Sequence, residues 1–135
     1  MFIKKIYLKV SLIRLFLYKF DSIWESHLLP FFSKVWLVSM KLKGVRIGKD
    51  VRLFGKPIIK MHPLSQIIIE DNVGINNNSF RSSSTSLYGP CRFVTHFPSS
   101  LIIIKKDTGL NGTAIIARSK KIILGERVKI APNVS

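Results

Sequence analysis

The chain has 135 residues, 47% of them apolar, which is enough for one compact domain with an accessory segment. Lysine and arginine total 22 against 7 acids, a formal net charge of +15, which favours anionic partners without choosing among nucleic acid, lipid head groups and phosphorylated small molecules. The single cysteine, Cys91, cannot form an internal disulfide and fits a reducing cytoplasmic setting; no cysteine–histidine cluster has metal-ligand spacing, so no metal is expected.

Residues 1–42 read as an amphipathic helical segment. Ile3, Ile6, Val10, Ile13 and Leu17 recur at spacings of three and four, and Phe2, Phe16 and Phe20 widen the stripe. Lys4, Lys5, Lys9 and Lys19 gather on the opposite arc, with Arg14 out of place. These charges interrupt the apolar run, so neither a membrane span nor a cleaved signal peptide is expected. Asp21 or Ser22 is placed to cap a second helix starting near Ile23, and Pro30 is expected to break or bend it. Two roles fit the segment: peripheral contact of residues 1–40 with an anionic membrane surface, or packing against the end of the main domain or a partner subunit.

From Val45 the pattern changes to short aliphatic runs with a period of six. Hexads open at Ile47, Leu53, Ile69, Ile75, Ile104, Leu110 and Ile116, and after a two-residue slip at Leu124 and Ile130. Those at Ile47, Ile69, Leu124 and Ile130 fit one rule in full: aliphatic first, small or acidic second, small or β-branched fifth. Phe54 and Pro57 weaken the second hexad, Lys105 and Lys120 two others. Short strands forming the sides of a three-walled coil account for the period. The first residue of each side points to the axis, the fifth also faces inward near a corner, and the corner needs tight backbone. A sandwich of hairpins would leave the period unexplained and lacks the expected turns; Asn111-Gly112 is the one such pair and sits in register inside a hexad, as a coil corner. The fold expected for residues 43–135 is therefore mainly β, a left-handed parallel β-helix incomplete at its C-terminal end, with residues 1–40 as a candidate cap for its front end.

Residues 77–100 keep the period poorly and read as a loop or distorted coil; Cys91 within them reads as a small buried hydrophobe rather than a nucleophile. Three histidines are present. His27 lies in the helical segment, His62 precedes Pro63 in a break between hexads, and His96 sits in the irregular part. Each reads as a surface or loop residue. No serine–histidine–aspartate arrangement or glycine-rich phosphate loop is visible.

The hexads, LGERVKIAPNVS above all and VRIGKDVRLFGKPIIK as an opening coil, resemble the left-handed β-helix acyltransferases, in particular sugar and polysaccharide O-acetyltransferases. The likeness covers about residues 43–135. It implies a homotrimer with sites between subunits, acetyl-CoA as co-substrate, a saccharide hydroxyl as acceptor in surface-polysaccharide biosynthesis, and a histidine general base. It also implies a cytoplasmic location, at the inner face of the membrane if residues 1–40 bind lipid. In that family the histidine follows shortly after the stretch matched by IAPNVS, and this sequence ends at Ser135, so the chain alone is expected to be inactive, with no catalytic residue of its own. One position carries over: Asn111 matches the asparagine near the acceptor and base, with a corner asparagine in left-handed geometry as the competing reading.

Two other classes stand beside this one. A non-catalytic hexapeptide-repeat scaffold or binding module needs no transferase site. Nucleic-acid binding is suggested by net charge alone; the basic residues are spread over the chain and no recognition motif accompanies them, so no nucleic-acid partner is expected.

Overall fold

The computed structural model describes residues 2–23, 29–79 and 86–135. Trp24, His27 and the serine-rich stretch 80–85 lie outside them. Among the described residues two helices precede ten short strands: α1 (Phe2–Ile23), α2 (Leu29–Leu42), β1 (Arg46–Ile47), β2 (Arg52–Phe54), β3 (Ile58–Lys60), β4 (Gln66–Ile69), β5 (Gly74–Asn76), β6 (Arg92–Thr95), β7 (Leu101–Ile104), β8 (Gly109–Asn111), β9 (Ala114–Ala117) and β10 (Lys121–Leu124). The chain divides into two compact units, residues 1–31 and residues 32–135.

All strand pairing is parallel, in three sheets of order β1-β4-β7-β10, β2-β5-β8 and β3-β6-β9. Every third strand returns to the same sheet, so each circuit of the chain adds one rung to all three. A parallel bridge between Gly109 and Lys129 starts a fourth rung on the second sheet.

The aliphatic period appears as columns of stacked side chains. On the first sheet Ile47, Ile69, Ile104 and Leu124 share a column, and on the second Leu53, Ile75 and Leu110 do, with Ile130 packed beyond them. Six residues separate the two columns on every rung. The fifth hexad position also faces inward: Val51, Val73 and Thr108 are buried. The corresponding residues of the next side are Pro57, Cys91 and Thr113, again buried. Pro57 thus fits the inward place it was expected to weaken. The hexad at Ile116 is corrected. Ile116 points outward, 49% exposed, while Ile115 is 5% exposed and stacks on Phe93. The corner at Gly112 is one residue shorter than its first-rung equivalent at Gly55, so the inward register slips by one.

Corners explain the polar residues. At the first corner Asp50, Asn72, Asp107 and Arg127 hold equivalent positions, all with left-handed backbone (φ 54–60°). Asparagine and aspartate tolerate this region best. The preceding column, Lys49, Asp71, Lys106 and Glu126, alternates in charge from rung to rung. Lys49 N donates to Asp71 Oδ1 (2.7 Å), Lys106 N to Glu70 Oε2 (3.0 Å), and Lys106 Nζ lies 3.8 Å from Glu126. Gly48 must lack a side chain, because a Cβ there would sit 2.8 Å from the backbone of Glu70 and Asp71.

The helices depart from expectation in detail. α1 runs through Asp21 and Ser22 to Ile23, so neither caps a following helix. Pro30 does not break α2 but occupies its first turn, where the missing N–H would have had no helical partner. From Phe32 onward α2 belongs to the same compact unit as the strands and covers the first rung. Met40 is buried, Trp36 and Leu37 pack on the core, and the Ser33 hydroxyl accepts a hydrogen bond from Leu53 N (3.1 Å). Leu53 N points away from the second rung, so Ser33 supplies the acceptor that an earlier strand would have given.

Candidate functional site

The outer face of the second sheet carries the most distinctive arrangement. β5 and β8 present the same tripeptide pattern, glycine–aliphatic–asparagine, in register: Gly74 on Gly109, Ile75 on Leu110, Asn76 on Asn111. The aliphatic residues face the core, so the glycines and asparagines lie on the outer face of the sheet, where Asn76 is covered, 7% exposed. Two successive glycines leave a flat floor, and the asparagines with Phe54 from the first rung form one side of a depression of about 220 Å³.

Two cations bracket this floor. Arg52 lies over Gly74, its Nη2 about 4.0 Å from where a Cβ would be, and Nη2 donates to Asn72 Oδ1 (3.3 Å). The Lys129 side chain lies across Gly109 from the opposite end, so close that a Cβ there would be 3.0 Å from its Cδ, and Nζ donates to the Asp107 carbonyl (3.2 Å). Arginine and lysine thus stand at the two ends of the depression, with the Asp107 carboxylate beside them, accepting from Asn72 Nδ2 (2.7 Å).

The asparagines form a ladder. Asn76 Nδ2 donates to Asn111 Oδ1 (3.3 Å), and Asn111 Nδ2 donates to the Ile130 carbonyl (3.0 Å). Asn76 Oδ1 in turn accepts from Asn78 N (3.1 Å). This fixes the Asn111 amide; one N–H and one lone pair remain beyond these two bonds. Asn111 is a strand residue at the end of β8, and the left-handed position is Gly112 (φ 50°). The competing reading of Asn111 as a left-handed corner residue is therefore corrected: glycine, with no Cβ to clash, takes the strained place.

Residues 77–79 and 86–91, the described parts of the segment leading to β6, lie along this side. Asn77 holds its two ends, donating to the Gly55 carbonyl (2.9 Å) and accepting from Cys91 N (2.7 Å). Asn133 clasps it from the last rung, accepting from Tyr88 N (2.8 Å) and donating to the Ser86 carbonyl (3.0 Å). Gly112 is packed beneath it, with the Gly89 carbonyl 2.9 Å from where a Cβ would stand.

Other candidates lie elsewhere. His62 and His96 occupy one column at the corner between the third and first sheets, followed there by Arg118, because His62 N bonds the Thr95 carbonyl and His96 N the Ala117 carbonyl. His62 Nδ1 accepts from Leu64 N (3.1 Å), and His96 is exposed. Neither shares a corner with Asn111. Cys91 is fully buried in the core; burial raises its thiol pKa to about 11, against weaker opposing hydrogen bonds from backbone N–H groups, Thr113 N among them. A thiol so far from ionisation is no nucleophile at neutral pH. A second depression, about 320 Å³ at the first corner, is lined by Arg46, Glu70, Asp71 and Lys106. Each of its acids accepts a main-chain N–H of that corner, Asp71 from Lys49 and Glu70 from Lys106.

Of this site the sequence reading found Asn111 and missed Asn76, Phe54, Gly74, Gly109, Arg52 and Lys129. The usable signal was the repeated Gly-Ile-Asn and Gly-Leu-Asn at matching hexad positions. What the arrangement offers is a hydrogen-bonding shelf with an aromatic wall, flanked by two cations; none of its lining residues is a histidine, carboxylate or thiol.

No family model matches the chain, and no curated protein or solved structure shows significant similarity to it.

Proposed function

We propose that the strands form a left-handed parallel β-helix of the hexapeptide-repeat acyltransferase type, and that the shelf around Asn111 is the acceptor side of an acetyl-CoA-dependent O-acyltransferase site. The acceptor is a saccharide hydroxyl, in surface-polysaccharide biosynthesis. One observation carries the reading: on each rung the inward aliphatic of the first sheet is followed six residues later by that of the second. A six-residue side, small fifth residues and left-handed corners together are what a three-walled coil of this family needs.

On this reading Asn111 orients the acceptor hydroxyl with its remaining hydrogen-bonding capacity, and Asn76 holds the amide in place. Arg52 and Lys129 attract the phosphates of acetyl-CoA. The chemistry would be attack of the hydroxyl oxygen on the thioester carbonyl, its proton passing to a general base and the CoA thiolate leaving. The lining residues include no such base, so the chain contributes binding rather than turnover, and a homotrimer is the assembly that would bring further residues to the shelf.

Equilibrium dialysis of the folded chain with acetyl-CoA tests the proposal, alongside acetyl transfer to a panel of sugars. Saturable acetyl-CoA binding that weakens in the Arg52→Ala and Lys129→Ala variants is the expected result. Absence of binding by a chain that melts cooperatively would overturn it and favour a non-catalytic scaffold on the same coil. The engagement of the Asn111 amide in a structural ladder is what supports that second reading.

A further inference from the structure

The residues of α1 from 11 to 23 are all exposed. Within this stretch Leu12, Ile13, Phe16, Leu17, Phe20 and Ile23 fall on one stripe, since positions four apart lie one above the other on a helix. Phe16 is 68% exposed and Leu12 58%, a larger continuous apolar stripe than a helix in water normally carries. Arg14 and Lys19 lie at the two edges of the stripe, and the turns before it hold Lys4, Lys5 and Lys9. The helix has five basic residues against one acid, Asp21.

This combination restricts what can cover it. No described helix is long and apolar enough to cross a membrane. A second copy of α1 is a poor counterpart, because each copy of the helix carries five basic residues against one acid. An interface of lipid with anionic head groups satisfies both halves of the helix. Acyl chains take the stripe, and Arg14 and Lys19 reach from its edges to the charged layer.

We infer that α1 is a monotopic anchor that docks the chain on a membrane surface bearing anionic lipid. The inference stands on α1 alone and does not depend on the acyltransferase reading.

Vesicle flotation with the full chain tests it, comparing mixed phosphatidylglycerol–phosphatidylcholine vesicles with phosphatidylcholine alone at low and raised salt. Binding to the anionic vesicles is expected to be roughly tenfold tighter or more and to weaken with salt. The Phe16→Ser, Phe20→Ser double variant loses binding to both, while Lys9→Glu with Lys19→Glu removes the preference for the anionic vesicles. These substitutions lie outside the compact unit of residues 32–135, so its thermal melt serves as a folding control. Equal binding to both vesicles, or wild-type binding by the phenylalanine variant, would overturn the inference. So would a chain that ignores vesicles but falls apart from a larger oligomer when the phenylalanines are replaced, which would mean that protein covers the stripe.

Discussion

Ser33→Ala is the sharpest test of how the first rung is finished. A solenoid end exposes main-chain groups that interior rungs pair with their neighbours. Leu53 illustrates the problem: its side chain is 1% exposed, and its N–H points away from the second rung. The only hydrogen bond it makes among the described residues is to Ser33 Oγ, at 3.1 Å, and Ser33 is itself buried. Removing the hydroxyl leaves a buried donor unsatisfied, at a cost of about 1–3 kcal/mol, since the loss includes desolvation of the N–H and not merely the net value of one bond. For a unit of this size about 2 kcal/mol lowers the melting temperature by roughly 10 °C. The assay is thermal and urea unfolding followed by far-ultraviolet circular dichroism. Lys34→Ala serves as the control, because Lys34 is exposed on the same helix. A Ser33→Ala melt indistinguishable from wild type would refute the reasoning: Leu53 N–H would then reach water, and α2 would not close the coil.

Cys91 gives a pH-dependent prediction. Its folded pKa of about 11 lies above the ordinary thiol value of 9.0, so between these pH values the unfolded chain loses the thiol proton and the folded chain keeps it. The contribution of Cys91 to stability is therefore complete below pH 9 and declines as pH rises toward 11, by about 2 kcal/mol in all; Cys91→Ala should lack this decline when the two melts are compared across that range. The same thiol should be silent to a disulfide reagent at neutral pH until urea unfolds the chain; rapid labelling of the native protein would contradict its burial. At the first corner Arg127 holds left-handed backbone (φ 58°) where other rungs have aspartate or asparagine. Arg127→Asn should stabilise by up to about 1 kcal/mol, read as a higher urea midpoint, because asparagine accepts that region more readily.

The energetics of the coil are local. Each rung touches the rungs beside it, so buried columns such as Ile69–Ile104 and Ile75–Leu110 add stability rung by rung. The alternating charges at the first corner contribute less than their number suggests, since Lys106 and Glu126 are both exposed and screened by solvent. Their value lies in register. A slip of one rung would set Asp71 against Glu126 and Lys49 against Lys106.

The sequence by itself determined the parts of this protein that depend on local spacing. Aliphatic residues six apart, small fifth residues and the corner aspartates and asparagines identified the inward columns of the first two sheets, because neighbours along the chain decide which way a short strand's side chains alternate. Tertiary structure decided the rest. Ile115 and Ile116 are adjacent and chemically alike; only stacking on Phe93 selects the inward one. Pro30 could end a helix or begin one, and the descent of α2 onto the first rung makes it a beginning. The shelf at Asn111 was half legible: its asparagine stood out beside a glycine, but Arg52 and Lys129 are 77 positions apart in sequence and come to one face only when coils stack. Spacing along the chain fixes alternation and period; which distant rungs meet is set by the loop lengths between them, and those carry no periodic signal.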